Sequence, residues 1–148
     1  MLPLEEIKKR IPHRPPFLWV DRILSSSETT IETEKDIPKD HEVFQGHYPG
    51  NPITPGVLLC EAIFQSGALL MAQNTTTQST DLVPVLTRIT NAKFKRSVFP
   101  GDTTHIKVKL LEVIASVSFL KGTLKVNGKT AVQVEFACAM TKSTSSSE

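Results

Sequence analysis

The chain has 148 residues, 39% hydrophobic and 22% charged, with a formal net charge of +2. That length suits one domain with a real core, and the composition is that of an ordinary soluble globular protein. The small charge argues against a nucleic-acid surface. The two cysteines, Cys60 and Cys138, lack metal-ligand or redox spacing, and no apolar signal-peptide run opens the chain, so a reducing, cytoplasmic setting is expected.

In chain order, Leu2 to Ile11 carries a short helical pattern that Pro12 ends. Phe17 to Leu24 reads as a strand, and Thr29 to Asp36 as its antiparallel partner with one wet face. A loop dense in Gly and Pro follows, from Phe44 to Gly56, and carries His47. Thr54 then predicts an N-cap, with Pro55 at the first helical position. From Val57 to Met71 the residues are mostly Leu, Ile, Ala, Phe and Met, too long a run for a strand and apolar nearly all round. That pattern predicts a helix surrounded by protein. Glu61, Gln65 and Ser66 lie mid-run without a basic flank, which argues against a membrane span.

Asn74 to Asp81 is polar and reads as a mobile loop. Four strands are predicted after it: Val85 to Phe94, Thr103 to Ile114, Ser116 to Val126 and Lys129 to Met140. Pro100-Gly101-Asp102 marks a turn, and Asn127-Gly128 is the strongest short hairpin signal. The order, two strands, a long helix and four strands joined by tight turns, implies an α+β protein whose antiparallel sheet curls around one helix. No linker composition is present, so residues 1–142 are expected to form a single domain and residues 143–148 a disordered tail.

Two groups on this framework suggest acid–base chemistry. Glu61 and Gln65 are four apart and share a helix face. Burial favours the neutral carboxyl, and a Glu kept protonated can donate to a leaving group. The plainer alternative is a Glu that hydrogen-bonds Gln65 and merely tolerates burial. His47 sits in a loop constrained at Gly46, Pro49, Gly50, Pro52, Pro55 and Gly56, the kind of backbone that positions a side chain. The N–H groups of Gly56 and Val57 open the helix without intrahelical partners and could hold a carbonyl oxygen as charge develops on it.

The run Gly46-His47-Tyr48-Pro49-Gly50-Asn51-Pro52-Ile53-Thr54-Pro55-Gly56-Val57-Leu58, followed by Glu61-Ala62 and Gln65, resembles the signature of the (3R)-hydroxyacyl-[acyl carrier protein] dehydratases of type II fatty acid synthesis. Pro12-His13-Arg14 with Pro16-Phe17-Leu18 and Val20-Asp21-Arg22, then Ala92-Lys93-Phe94-Lys95-Arg96, then Pro100-Gly101-Asp102 match in the same order, so the resemblance spans about Leu4 to Thr141. It implies the hotdog fold and dehydration of a 3-hydroxyacyl thioester, with His47 as base at C2, Glu61 as acid at the C3 hydroxyl and Gly56 N–H on the thioester carbonyl. It implies no metal and no organic cofactor.

It also implies a homodimer, possibly a trimer of dimers, in which the histidine of one protomer meets the glutamate of the other. The helix itself agrees with sharing, since Glu61 lies about 9 Å along the axis from Pro55. Val57, Phe64 and Leu86 are expected to line the acyl channel. Lys93, Lys95 and Arg96 are expected to dock an acidic acyl carrier protein, the alternative being a lysine-protected strand edge. No membrane or nucleic-acid partner is expected.

The chain departs from the family pattern at several positions. Phe64 replaces a small residue. Pro84 and Val85 fall where a gating Tyr is usual, Arg88 replaces a small residue, and Tyr48 replaces Phe. The alternatives are another hotdog acyl-thioester enzyme, such as a thioesterase or a dehydratase–isomerase, and a non-catalytic acyl-binding partner subunit. Retention of both His47 and Glu61 argues against the thioesterase and the subunit, and Glu rather than Asp at position 61 against the isomerase.

Overall fold

The structure is a computed structural model that describes residues 1–74 and 82–142. The predicted mobile loop therefore lies, apart from Asn74, outside the described residues, as does the predicted tail. The elements are α1 (Leu4–Arg10), β1 (Arg22–Ser26), β2 (Thr30–Asp36), α2 (Val43–Gly46), α3 (Gly56–Gln73), β3 (Leu82–Phe94), β4 (Thr103–Ile114), β5 (Val117–Val126) and β6 (Lys129–Lys142). All six strands form one antiparallel sheet in the order β1-β2-β4-β5-β6-β3. The sheet wraps α3, which packs across β2, β4, β5 and β6. This is the hotdog fold.

The alternation read from the sequence is the alternation of burial. On β4, Thr104, Ile106 and Val108 are buried against α3, while His105, Lys107 and Lys109 face out. Eleven residues of α3 are buried, including Ile63, Leu69 and Leu70. The helix is long and apolar enough to cross a membrane, yet 67% of it is buried inside the protein, as a core helix is. Two glycines set how closely it seats. A Cβ on Gly67 would lie 2.8 Å from the Phe136 ring, and one on Gly122 of β5 would collide with an Ile63 methyl. Asn127 and Gly128 both have positive φ, 51° and 77°, as the tight β5–β6 hairpin requires.

The structure corrects four local expectations. The first strand begins at Arg22, not Phe17. The Trp19 N–H donates to Gln65 Oε1, which ties Trp19 to α3, and backbone pairing with β2 begins where the Asp21 N–H donates to Glu34 O. The helix starts at Gly56, with Pro55 as its N-cap residue. Thr54 lies one position too early: its N–H is held by Val98 O at 2.8 Å, and its hydroxyl is buried without a partner among the described residues. The four later strands are not all joined by tight turns, because β3 pairs with β6 at the sheet edge and residues 95–102 cross back to β4. The one-turn helix α2 was not anticipated; its four residues are too few to show a period.

Candidate active site

His47 follows α2 directly. Its backbone N–H closes on Val43 O at 3.0 Å, and Ile53 N–H returns to His47 O at 3.1 Å, so the loop folds back on the histidine. The His47 Nδ1 lies 2.8 Å from Ile53 O. A carbonyl oxygen only accepts, so in the neutral ring Nδ1 carries the proton and Nε2 is left with a bare lone pair. The ring stacks on Tyr48 at 4.1 Å between centroids. Position, tautomer and ring plane are thus fixed by the Gly/Pro loop.

Glu61 sits in the second turn of α3, its side chain 23% exposed. Gln65 Nε2 donates to Glu61 Oε2 at 2.9 Å and to Phe17 O at 2.8 Å, while Gln65 Oε1 accepts from Trp19 N–H at 2.8 Å. Gln65 is 1% exposed and locked from three sides, so it orients the carboxyl. Burial pushes the Glu61 pKa above the ordinary carboxylate range, and the Gln65 bond opposes that in part. The group is biased toward the protonated acid.

The first turn of α3 has no side-chain cap. Among the described residues, the N–H groups of Gly56 and Val57 donate to no protein acceptor, so two amides at the positive end of the helix stay open to an oxygen atom. Phe94 of β3 covers this turn closely, since a Cβ on Gly56 would stand 2.8 Å from its ring. Val57 is 74% exposed and Leu86 39% exposed, so a channel lined by them is closed by some other surface. Phe64 packs on Phe136 of β6 with centroids 4.9 Å apart, which gives it a place in the wall around α3. Lys93, Lys95 and Arg96 are all exposed, at and just beyond the end of β3.

Within one chain His47 and Glu61 do not pair. Among the described residues the ion-pair neighbour of Glu61 is His13, whose Nε2 lies 3.8 Å from Glu61 Oε2. Sequence reasoning quoted His13 only as part of a motif. No local pattern signals a contact across 48 residues.

Comparison with known proteins places the fold and the family. The fold is shared with solved hotdog enzymes. A chain of the dehydratase heterocomplex ApeI:P from Xenorhabdus doucetiae superposes with a TM-score of 0.80 at 14% identity, over 96% of this chain and 93% of that one. A hypothetical thioesterase from Streptococcus pneumoniae TIGR4 superposes with a TM-score of 0.62 at 11% identity, over 84% and 88%. Sequence comparison is narrower. Residues 11–135 match the FabA-like domain. The chain is 39% identical over 135 residues to 3-hydroxyacyl-[acyl-carrier-protein] dehydratase FabZ of Caulobacter vibrioides, covering 90% of this chain and 85% of the relative. It is 35% identical over 140 residues to the FabZ dehydratase of Clostridium perfringens, covering 95% and 99%. The chain belongs to the FabA-like family.

Proposed function

We propose that this protein dehydrates (3R)-hydroxyacyl-[acyl carrier protein] to the trans-2-enoyl thioester in fatty acid biosynthesis. The observation that carries the reading is the complementary protonation of its two candidate groups: His47 offers a bare Nε2, and Glu61 is held toward its protonated form. In this scheme His47 Nε2 takes the C2 proton, and the C2–H electron pair forms the C2=C3 double bond. The C3–O bond breaks, and the Glu61 proton leaves with that oxygen as water. The Gly56 and Val57 amides hold the thioester oxygen while C2 loses its proton. Each positioned acid or base contributes roughly 10²–10⁴ in rate.

The site is shared between two copies. β3 ends the sheet with its outer edge unpaired among the described residues, and Val85, Leu86, Ile89 and Phe94 on it are exposed, as are Val57 and Tyr48 near the start of α3. A long apolar edge strand of this kind is covered by a second copy, which would bring the His47 of one chain to the Glu61 of the other. A cytoplasmic setting fits the free, buried Cys60 and Cys138.

Incubation with 3-hydroxybutyryl and longer 3-hydroxyacyl carrier-protein thioesters tests the reading. Enoyl absorbance without free thiol is expected; thiol release would make the protein a thioesterase. Lys93, Lys95 and Arg96 are assigned to carrier docking. Reversing charge at Lys95 and Arg96 should raise KM for carrier-protein substrates, most at low salt, and leave N-acetylcysteamine thioesters unaffected. An equal rise for both substrates would return these residues to the fold.

A further inference from the structure

His13 follows α1 in a segment pinned by its neighbour. The Arg14 guanidinium donates to Lys8 O, Ile11 O and His13 O at 2.7–2.9 Å, so the backbone that carries His13 is clamped to the end of α1. The His13 side chain is 20% exposed, and its Nδ1 is fully buried without a hydrogen-bond partner among the described residues. A buried nitrogen with no partner is tolerated far better as a bare lone pair than as an N–H. The neutral tautomer therefore carries its proton on Nε2, the atom that faces Glu61 Oε2. The imidazolium would need an N–H at the sealed Nδ1. Burial, reinforced by the Arg14 charge, indeed lowers the His13 pKa. With Nδ1 sealed, the ring also cannot pass a proton through from one nitrogen to the other.

The two oxygens of Glu61 consequently differ. Oε2 accepts from Gln65 and faces the His13 N–H; Oε1 has no protein partner among the described residues and is the oxygen left for substrate. We propose that His13 is a positioning residue for the acid, its neutral Nε2–H closing on Glu61 Oε2 as the carboxylate forms, so that the proton departs from Oε1. At 3.8 Å the contact is longer than a hydrogen bond while the acid is protonated, and it shortens when the oxygen becomes anionic. Such a donor acts on the product state of the proton transfer and leaves the resting acid protonated. The inference rests on Glu61 being the acid.

The other groups around Glu61 do not duplicate this role. Gln65 is neutral and already saturated. The Cys60 thiol next to it is pushed up by burial. The Cys138 thiol, from β6, is pushed up to about 11 by burial and by Glu61 itself. The Arg14 charge is turned onto backbone carbonyls. In the shared-site reading His47 acts on C2 of the substrate and supplies no donor to Glu61.

The test compares His13→Phe, which keeps ring volume but has no donor, with His13→Gln, which places an N–H near the same point. In the full-length protein, His13→Phe should lower kcat about 10–100-fold with KM within about twofold. The alkaline limb of its kcat/KM profile should move to higher pH, because the Glu61 carboxylate has lost a donor. His13→Gln should restore both. An unmoved limb, or a Gln variant no better than Phe, overturns the proposal. Should the Phe variant fail to fold, His13→Ala supplies the donor-free arm of the same comparison. Glu61→Gln, run alongside, separates the two readings. If it stays active, the assignment of Glu61 has failed. If it is inactive while His13→Phe has the original rate and profile, only the role of His13 has failed.

Discussion

Glu61 joins two effects that act in opposite senses on stability and on activity. Its folded-state pKa is raised, so burying it carries no charge penalty below the unfolded pKa. The penalty grows as pH rises through the folded value. Glu61→Gln removes that penalty and keeps the shape, so Tm should rise at neutral and alkaline pH and stay unchanged in acid. The same substitution removes the transferable proton, and kcat should fall by about 10²–10⁴. The wild-type rate should fall on the alkaline side as Glu61 ionises, above the ordinary carboxylate range. Thermal scans and pH–rate profiles of the wild-type protein and the Gln variant check all of this. A variant equally active and no more stable would deny Glu61 both roles.

Among the elements, the seating of α3 in the sheet is decided by a few close approaches. Gly122 lets β5 lie against Ile63, with Val108 next to them, and a Cβ there would have to displace a core methyl. Gly122→Ala should destabilise the fold by about 1–3 kcal/mol through overpacking. Ile63→Ala alone should cost about 2–5 kcal/mol as a cavity. Together they should cost less than the sum, because each relieves the other. Denaturant midpoints for the four proteins close the cycle; simple additivity would mean that the glycine serves some other need. The same seating matters for chemistry, because Glu61 lies two residues from Ile63 on α3. A helix pushed off the sheet would carry Glu61 and Gln65 together away from His13, Phe17 and Trp19, whose contacts orient the pair.

At the scale of the molecule, one chain holds both candidate groups but not one assembled site. A second copy that supplies the missing half predicts a specific complementation. His47→Ala and Glu61→Gln chains are each inactive alone. Refolded together, a mixed dimer has one site with both mutations and one with neither. It should recover about half of the wild-type activity per dimer, and a random mixture about a quarter. Mixtures as inactive as their parents would place both groups in one chain's own site. Sedimentation at micromolar concentration should show no monomer.

Much of the architecture was legible in the residues. The apolar length between Val57 and Met71 marked a surrounded helix, alternation marked β4 and Asn127-Gly128 marked the last hairpin, because each is a local preference written within a few neighbours. Glu61 stood out as the one carboxyl group on that helix, and its bond to Gln65 follows from their spacing of four. The start of α3 was misplaced by one residue because Thr54 and Gly56 both suit a helix entrance, and the bond from Thr54 N–H to Val98 O, far along the chain, decides between them. The edge position of β3 likewise follows from its pairing with β6, about fifty residues on.

The sequence by itself determined which side chains could act as acid and base, and that one lies on a buried helix and the other in a rigid loop. Only the tertiary structure decided that His47 presents Nε2, that Glu61 keeps one oxygen unpartnered among the described residues, and that His13 stands beside the other. Those outcomes depend on contacts between distant segments. Such contacts form when the sheet closes on the helix, and no local propensity encodes them.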